Sequence, residues 1–239
     1  MKEKMSISLD GSWDFLANEA AKPEDLKGKD WGKIEVPSNW HLAGLADFDG
    51  AIWFRRSFEV GEIPGDRLAI LSFDGVDYFA DVWLNEDYLG HHEGYFDPFR
   101  FECPALLEGK NELLVRVNSP REQAGDWPYR KQLIKGIFNH HDCRPGAWHP
   151  AFGQDGNTGG IWNKVKINFV RTPYVKKVQT LINVQKDAAT VVARIDLGAR
   201  KKTISSVSVV CRDPEGRVVA EASRKGPFSG ESFSSFSIA

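Results

Sequence analysis

The sequence lacks the features that identify nucleic-acid-binding and membrane proteins. Its 31 Lys and Arg residues are balanced by 33 Asp and Glu residues, which gives a net charge of −2. A chain without a basic excess has little charge with which to displace counterions from nucleic acid or to bind an anionic membrane. No run approaches the roughly 18 to 20 apolar residues that span a bilayer. We therefore expect neither nucleic acid nor a membrane as a partner.

Cysteine is also scarce. Cys103, Cys143 and Cys211 are the only three, and none belongs to a Cys-x-x-Cys motif. An odd number of cysteines cannot all pair within one chain, and a chain of 239 residues does not depend on disulfides to hold its core. We predict free thiols that are mostly buried.

Helical periodicity is nearly absent, and β signals take its place. Aromatic residues make up 12% of the chain, with eight Trp, and 22 Gly and 12 Pro supply frequent turns. In the segment FRRSFEV, residues 54–60, the apolar side chains of Phe54, Phe58 and Val60 alternate with polar ones. This period of two is typical of a half-buried strand. The pattern predicts an all-β fold whose first part is an antiparallel sandwich.

The composition changes near Thr172. No Trp follows Trp162, and alternating strand patterns separated by turns continue to the end of the sequence. This spacing is typical of an immunoglobulin-like sandwich, but Pro173 to Ala239 is only 67 residues, against about 100 for such a domain. We predict one domain at residues 1–171 and a second, incomplete at its C-terminus, at residues 172–239.

Seven short segments carry a family resemblance when they are taken together in order. They are LDGSWDF at 9–15, VPSNW at 36–40, WFRRSF at 53–58, FDGVDYFADVWLN at 73–85, LGHHEGYF at 89–96, GKNEL at 109–113 and TGGIW at 158–162. In this order they resemble glycoside hydrolase family 2, which contains β-galactosidases, β-glucuronidases and β-mannosidases. The resemblance implies a jelly-roll domain of the galactose-binding type, then an immunoglobulin-like domain, and then a catalytic (β/α)₈ barrel.

The barrel has no counterpart in this sequence. Strands do not alternate with helices, and the roughly 250 residues that a barrel needs do not fit beside the two predicted domains. Retaining glycosidases use two carboxyl groups about 5–5.5 Å apart, and in this family the resemblance places both on the barrel. We therefore expect no catalytic residue in this chain, no cofactor and no activity of the chain alone.

The resemblance also implies a substrate-binding loop just before the segment TGGIW. In the family this loop reaches the mouth of the barrel, where an acidic side chain contacts sugar hydroxyls. Asp155 is the candidate, with Gln154 and Asn157 as neighbours, because a carboxylate accepts two strong hydrogen bonds. The spacing back from Gly160 is one residue from the family pattern, so Gln154 is an alternative. Asp155 is equally explained as a residue that caps the turn.

A second group of polar residues lies upstream of that loop. His141, Asp142, Arg144 and Trp148 are candidates for the rim of the substrate cleft, and an ordered structural loop is the alternative. A zinc site is disfavoured, because the neighbouring His140 and His141 point to opposite sides of an extended chain and no second ligand pair has the usual spacing. We predict no metal site.

Two rival functions remain at this point. A free-standing carbohydrate-binding module would bind sugar through exposed Trp or Tyr, whereas a scaffold would only brace the barrel. Trp13, Trp40, Trp53 and Trp83 lie in strand-like patterns, which favours a place in the core for each. The expected partners are a β-linked glycan, the catalytic barrel and further copies in a homo-oligomer, and a periplasmic or secreted location is slightly favoured.

Overall fold

The computed structural model describes residues 6–46, 48–63, 65–121, 157–186, 189–198, 204–228 and 232–238. The chain divides into two compact units, Met1–Phe169 and Val170–Ala239. The strands of the first unit are β1 (Ser6–Ser8), β2 (Gly11–Ala17), β3 (Gly32–Val36), β4 (Gly50–Val60), β5 (Arg67–Phe73), β6 (Phe79–Leu84), β7 (Asp87–Glu93), β8 (Phe99–Glu102), β9 (Gly109–Ser119) and β10 (Val165–Arg171), the last of which runs across the division. A single 3₁₀ turn covers Pro23–Leu26.

The first unit is a sandwich of two sheets. Six strands form one sheet in the order β3-β2-β4-β9-β6-β7, and four form the other in the order β1-β10-β5-β8. Every neighbouring pair in the six-stranded sheet is antiparallel. The core lies between the sheets, where Phe54 and Val115 of the larger sheet face Leu71, Phe73 and Ile167 of the smaller one.

The alternation predicted for β4 decides which side chains enter this core. Ile52 and Phe54 belong to the buried core cluster, whereas Arg55 lies on the opposite, outer face of the sheet. The hairpin between β6 and β7 turns through Asn85 and Glu86, which have φ angles of 50° and 73°. Two consecutive residues with positive φ match the right-handed twist of the paired strands, so this is the expected tight hairpin turn.

The tryptophan prediction is confirmed in part and needs one correction. Trp13 and Trp40 are fully buried in the core cluster. Trp53 is also fully buried, but it lies on the outer face of the sheet, where its Nε1 donates to the carbonyl of Ala20 in the loop before the 3₁₀ turn. Trp83 is not a core residue, because it alternates with the buried Val82 and Leu84 and its half-exposed ring lies on the outer face.

A second correction concerns residues 161–167, IWNKVKI, whose alternating apolar side chains predict a continuous strand. Ladder pairing begins only at Val165, and the residues before it form a single isolated bridge, between Asp77 and Gly160. Gly160 has a φ of +112°, which an L side chain rarely adopts and which bends the chain away from a regular strand. The alternating apolar pattern therefore reflects burial of Ile161 in the core rather than continuous pairing.

The second unit consists of strands and connecting turns in its described residues. They are β11 (Tyr174–Val184), β12 (Ala189–Gly198), β13 (Ile204–Arg212), β14 (Val218–Phe228) and β15 (Ser232–Ile238). One sheet has the order β11-β12-β15 and the other pairs β13 with β14. A small core contains Ala193, Ile195, Leu197 and Ile204.

The predicted fold class is confirmed, since the chain is all-β with a sandwich followed by a smaller β unit. None of the described residues forms a helix long and apolar enough to cross a membrane. Cys103 and Cys211 are free thiols as predicted, and Cys143 lies outside the described residues.

Candidate functional site

The candidate site lies at one edge of the sandwich, where β9 ends and the chain returns toward β10. Four polar side chains, those of Asp77, Ser119, Asn157 and Thr158, meet there, and each residue is 1% exposed or less. Polar groups this deeply buried are costly unless they are hydrogen-bonded. Their contacts with one another therefore determine how this edge of the sandwich is held together.

Asp77 is at the centre of this buried cluster. Thr158 Oγ1 donates to Asp77 Oδ2 over 2.7 Å. Ser119 Oγ lies 3.3 Å from Asp77 Oδ1 and 2.5 Å from the carbonyl oxygen of Thr158. Hydrogen bonds to a carboxylate are stronger than bonds between neutral groups, so Asp77 connects the end of β9 to the segment that begins at residue 157.

The backbone reinforces the same connection. Asp77 and Gly160 exchange two hydrogen bonds, of 2.9 and 3.0 Å. On the other side of this segment, Trp40 N donates to Gly159 O and Ser38 N donates to Ile161 O, each over 2.9 Å. Residues 159–161 are thus held between the segment that precedes β6 and the segment that follows β3.

Hydrogen bonds from the side chain of Asn157 hold the start of this segment. Its Nδ2 donates to the carbonyl oxygen of Ser119 over 2.9 Å and to that of Phe48 over 2.8 Å. Phe48 in turn packs edge-on against Trp40, with ring centroids 5.4 Å apart. Asn157 is therefore bonded directly to Ser119, which lies 38 positions earlier in the chain.

Three buried nitrogen atoms next to this cluster have no hydrogen-bond partner within the part of the chain that the structure describes. They are Asn39 Nδ2, Trp40 Nε1 and His41 Nδ1. Asn39 is only 7% exposed, and its Oδ1 is already bonded to the backbone nitrogen of His41. Buried donors without acceptors are unusual in folded proteins, so this edge is suited to a group that supplies acceptors.

Comparison with known families assigns the domain in which this edge lies. Residues 47–144 match the family model described as "Glycosyl hydrolase 2 galactose-binding domain-like". This confirms the resemblance that the seven sequence segments carry. Over this range the chain is similar to the galactose-binding-like domain of glycoside hydrolase family 2.

Relatives named as β-glucuronidase or β-galactosidase are far longer than this chain. A β-glucuronidase of Bacteroides fragilis is 31% identical over 125 residues, which cover 49% of this chain and 17% of the relative. A β-galactosidase of Bacteroides ovatus is 25% identical over 244 residues, which cover 94% of this chain and 25% of the relative. The chain thus spans a quarter or less of the length of these relatives.

A solved family 2 structure confirms the fold. The β-glucuronidase of Bifidobacterium dentium, solved with coumarin-3-O-glucuronide, superposes with a TM-score of 0.63 at 23% identity. It covers 100% of this chain, which corresponds to 42% of that structure. At this identity the likeness establishes the architecture and leaves the substrate of this chain open.

Most residues predicted to contact substrate lie outside the described residues. These are His141, Asp142, Arg144, Trp148, Gln154 and Asp155. Asn157 is described, and its amide points into the protein rather than toward open solvent. The placement of Asn157 does not support the predicted substrate contact, because the residue is buried and its Nδ2 already donates to the carbonyl oxygens of Phe48 and Ser119.

The sequence analysis did not identify Asp77, Ser119 or Thr158 as site residues. Asp77 and Thr158 both lie in segments that carry the family resemblance, but 81 positions separate them and no spacing rule connects them. Within the described ranges, no group of three or more His, Cys, Asp or Glu side chains is placed to hold a metal ion.

Proposed function

We propose that this chain is the non-catalytic N-terminal portion of a retaining β-glycosidase and that it forms one side of the substrate cleft. The match of residues 47–144 to a family 2 domain supports the reaction class, hydrolysis of O-glycosyl bonds. The described residues consist of strands, turns and one 3₁₀ turn, and a (β/α)₈ barrel needs about 250 residues with alternating helices. Bond cleavage is therefore assigned to a barrel that these residues do not contain.

The buried cluster is the observation that carries the cleft assignment. Asn157 bonds Ser119, and Thr158 bonds Asp77, so the segment between residues 121 and 157 begins and ends at one position on the sandwich. A site that must be held within a fraction of an ångström needs such support from surrounding residues. A free surface loop has no comparable need for a buried carboxylate at its base.

Within this proposal each candidate residue has a stated role. Asp155 accepts hydrogen bonds from two hydroxyls of the sugar at the cleavage site, and Gln154 is the alternative for that position. Asn157 keeps both residues in place through its bonds to Ser119 and Phe48. His141, Asp142, Arg144 and Trp148 form the rim of the cleft.

The same proposal assigns the two domains of this chain and the groups that they contact. Residues 1–171 form the sugar-binding-type jelly roll, and residues 172–239 belong to an immunoglobulin-like domain. The unpartnered donors of Asn39, Trp40 and His41 support contact between this edge and acceptor groups of the barrel or of the glycan. Homo-oligomer formation is a further role for these domains.

The decisive experiment compares Asp155→Ala and Gln154→Ala in the full-length glycosidase with Asp30→Ala, an exposed loop aspartate that serves as the matched control. We expect one of the first two variants to lose at least a hundredfold in kcat/KM on a nitrophenyl glycoside, because hydroxyl contacts strengthen in the transition state. The control should retain full activity. Unchanged kinetics for both Asp155→Ala and Gln154→Ala would overturn the site assignment.

Activity of the 239-residue chain alone provides a second test. Purified chain should not hydrolyse nitrophenyl β-galactoside, β-glucuronide or β-mannoside. Turnover that co-purifies with the chain would show that the catalytic carboxyls lie within it, and the proposal would fail.

A further inference from the structure

A cavity of about 440 Å³ lies on the outer face of the six-stranded sheet, on the side opposite the core. Its lining includes Trp31, Arg55, Trp83, Glu112 and Leu114, and the 3₁₀ turn contributes one side. The volume falls in the range of pockets that hold small ligands, about 300–1,000 Å³. The cavity shares no residue with the buried cluster around Asp77.

The strand register explains why an aromatic floor forms here. Leu114 of β9 is paired with Arg55 of β4 on one side and with Trp83 of β6 on the other. The neighbouring residues Phe54 and Val115 point into the core. Strand alternation therefore places Arg55, Leu114 and Trp83 in one row across the outer face.

The ring of Trp83 is fixed in position before any ligand arrives. Its centroid lies 5.1 Å from that of the buried Trp53 and 5.2 Å from that of Tyr88. An aromatic ring packed from two sides loses little conformational freedom when a ligand binds on its open side. Trp83 thus offers a rigid, half-exposed apolar surface.

Trp31 lines the same cavity and is held by a cation. The Arg55 guanidinium lies 4.3 Å from the centroid of the Trp31 ring. Asp14 Oδ2 accepts hydrogen bonds from Arg55 Nε and Nη2, at 3.1 and 3.0 Å. The hydrogen-bonded Lys33 lowers the pKa of Asp14, and Arg55 adds to this effect, so the carboxylate stays ionised and offsets the charge of Arg55.

The other charged residues that line the cavity determine which class of ligand it favours. Glu24, Glu86 and Glu112 line the cavity, and Lys27 is the only other cation among its lining residues. Within the described part of the chain, none of the three glutamate side chains takes part in a hydrogen bond or an ion pair. Carboxylates accept hydroxyl hydrogen bonds, whereas an excess of negative charge repels an anionic ligand.

We propose that this cavity binds a neutral pyranose residue of a glycan, which stacks on Trp83 and donates hydroxyl hydrogen bonds to the glutamates. Apolar C–H groups on one face of a pyranose match an indole ring, and its equatorial hydroxyls match the carboxylates. A uronic acid is disfavoured by the glutamates. The inference does not depend on the proposed cleft, because it uses none of the residues assigned there.

Titration of the 239-residue chain with lactose, cellobiose, β-1,4-mannobiose and methyl β-D-glucuronide tests the proposal, with tryptophan fluorescence and calorimetry as readouts. We expect saturable binding of at least one neutral disaccharide with a Kd near the millimolar range, and at least tenfold weaker binding of the glucuronide. Trp83→Ala should weaken binding of the neutral disaccharide at least tenfold, and Glu112→Gln should weaken this binding severalfold. Phe96→Ala is the control. Phe96 is an exposed aromatic residue outside this cavity, so this variant should bind the neutral disaccharide as tightly as the parent chain does.

Two outcomes would overturn the proposal. One is the absence of saturable binding for every neutral sugar, and the other is binding by Trp83→Ala that equals that of the parent chain. Because Trp83 contacts Trp53, Trp83→Phe and a circular dichroism spectrum show whether a loss reflects misfolding. Kinetics of Asp155→Ala in the full-length enzyme are independent of this result, so failure here and failure of the cleft assignment can be told apart.

Discussion

The indole of Trp40 lies directly against the backbone of Gly159. A β-carbon placed on residue 159 would overlap Cζ2 of Trp40, far inside van der Waals contact. The same pair is joined by a hydrogen bond of 2.9 Å from Trp40 N to Gly159 O. Glycine is therefore required here for close approach, and the contact fixes the segment that follows Asn157 against the core.

Gly159→Ala should destabilise the first unit. The rigid, fully buried indole cannot move aside without disturbing Phe48 and the core, and overpacking of this kind costs about 1–3 kcal/mol, occasionally more. Urea unfolding followed by tryptophan fluorescence measures the change. Gly61→Ala is the matched control, since Gly61 has open space around its Cα and no positive φ. Equal stability of the two variants would contradict the role given to the Trp40 contact.

Thr158→Val tests the buried cluster with almost no change in side-chain shape. The substitution removes the 2.7 Å hydrogen bond to the buried carboxylate of Asp77, and a hydrogen bond to a charged group contributes about 1.5–3 kcal/mol. Thr180→Val, at an exposed position of β11, should change the free energy of unfolding little. If Thr158→Val lowered the free energy of unfolding no more than this control does, the hydrogen bond to Asp77 would not be important for stability.

The sequence was sufficient to predict the sandwich because the signals involved are local. Alternation along β4 identified its core face from Phe54, Phe58 and Val60 alone. Trp83 was assigned wrongly, because alternation shows that a residue faces one side of a sheet without showing which side is covered. In this sheet the outer face is itself partly covered, so Trp53 is buried there while Trp83 is not.

The candidate site was harder to predict because its contacts join distant parts of the chain. Asn157 was selected from its place in the loop that the family resemblance implies, and nothing in that segment indicates its bonds to Phe48 and Ser119. Asp77 lies 81 positions before its donor Thr158. Such contacts become visible only after strand order and register are known.

Cys103 should react slowly with thiol reagents. Burial is the main cause that raises the pKa of its thiol to about 11. At pH 8 the reactive thiolate is then a small fraction, and we expect alkylation roughly a hundredfold slower in the native chain than after unfolding in urea, where an ordinary cysteine pKa near 8.5 applies. Iodoacetamide labelling with peptide mass spectrometry gives the rate at this site. Comparable rates in the native and unfolded chains would contradict the buried placement.

The stability of the first unit should fall as the pH drops from 7.5 to 5.5, with His92 as one cause. Its imidazole stacks on Phe99 with centroids 4.0 Å apart, and burial lowers the pKa of His92, an effect that Asp97 and Glu93 only partly oppose. Because the unfolded chain has the ordinary histidine pKa near 6.5, it binds the proton more readily, and stability is lost as the pH falls through that value.

His92→Phe removes this titration while it keeps an aromatic ring against Phe99. Thermal unfolding between pH 7.5 and 5.5 should therefore show a smaller fall in Tm for His92→Phe than for the parent chain. His91→Asn is the control, because His91 is exposed and lies beside Asp81, and its substitution should leave the difference due to His92 in place. If the Tm of His92→Phe fell as steeply as that of the parent chain, the pH dependence would have to come from other groups, since no titrating imidazole would remain against Phe99.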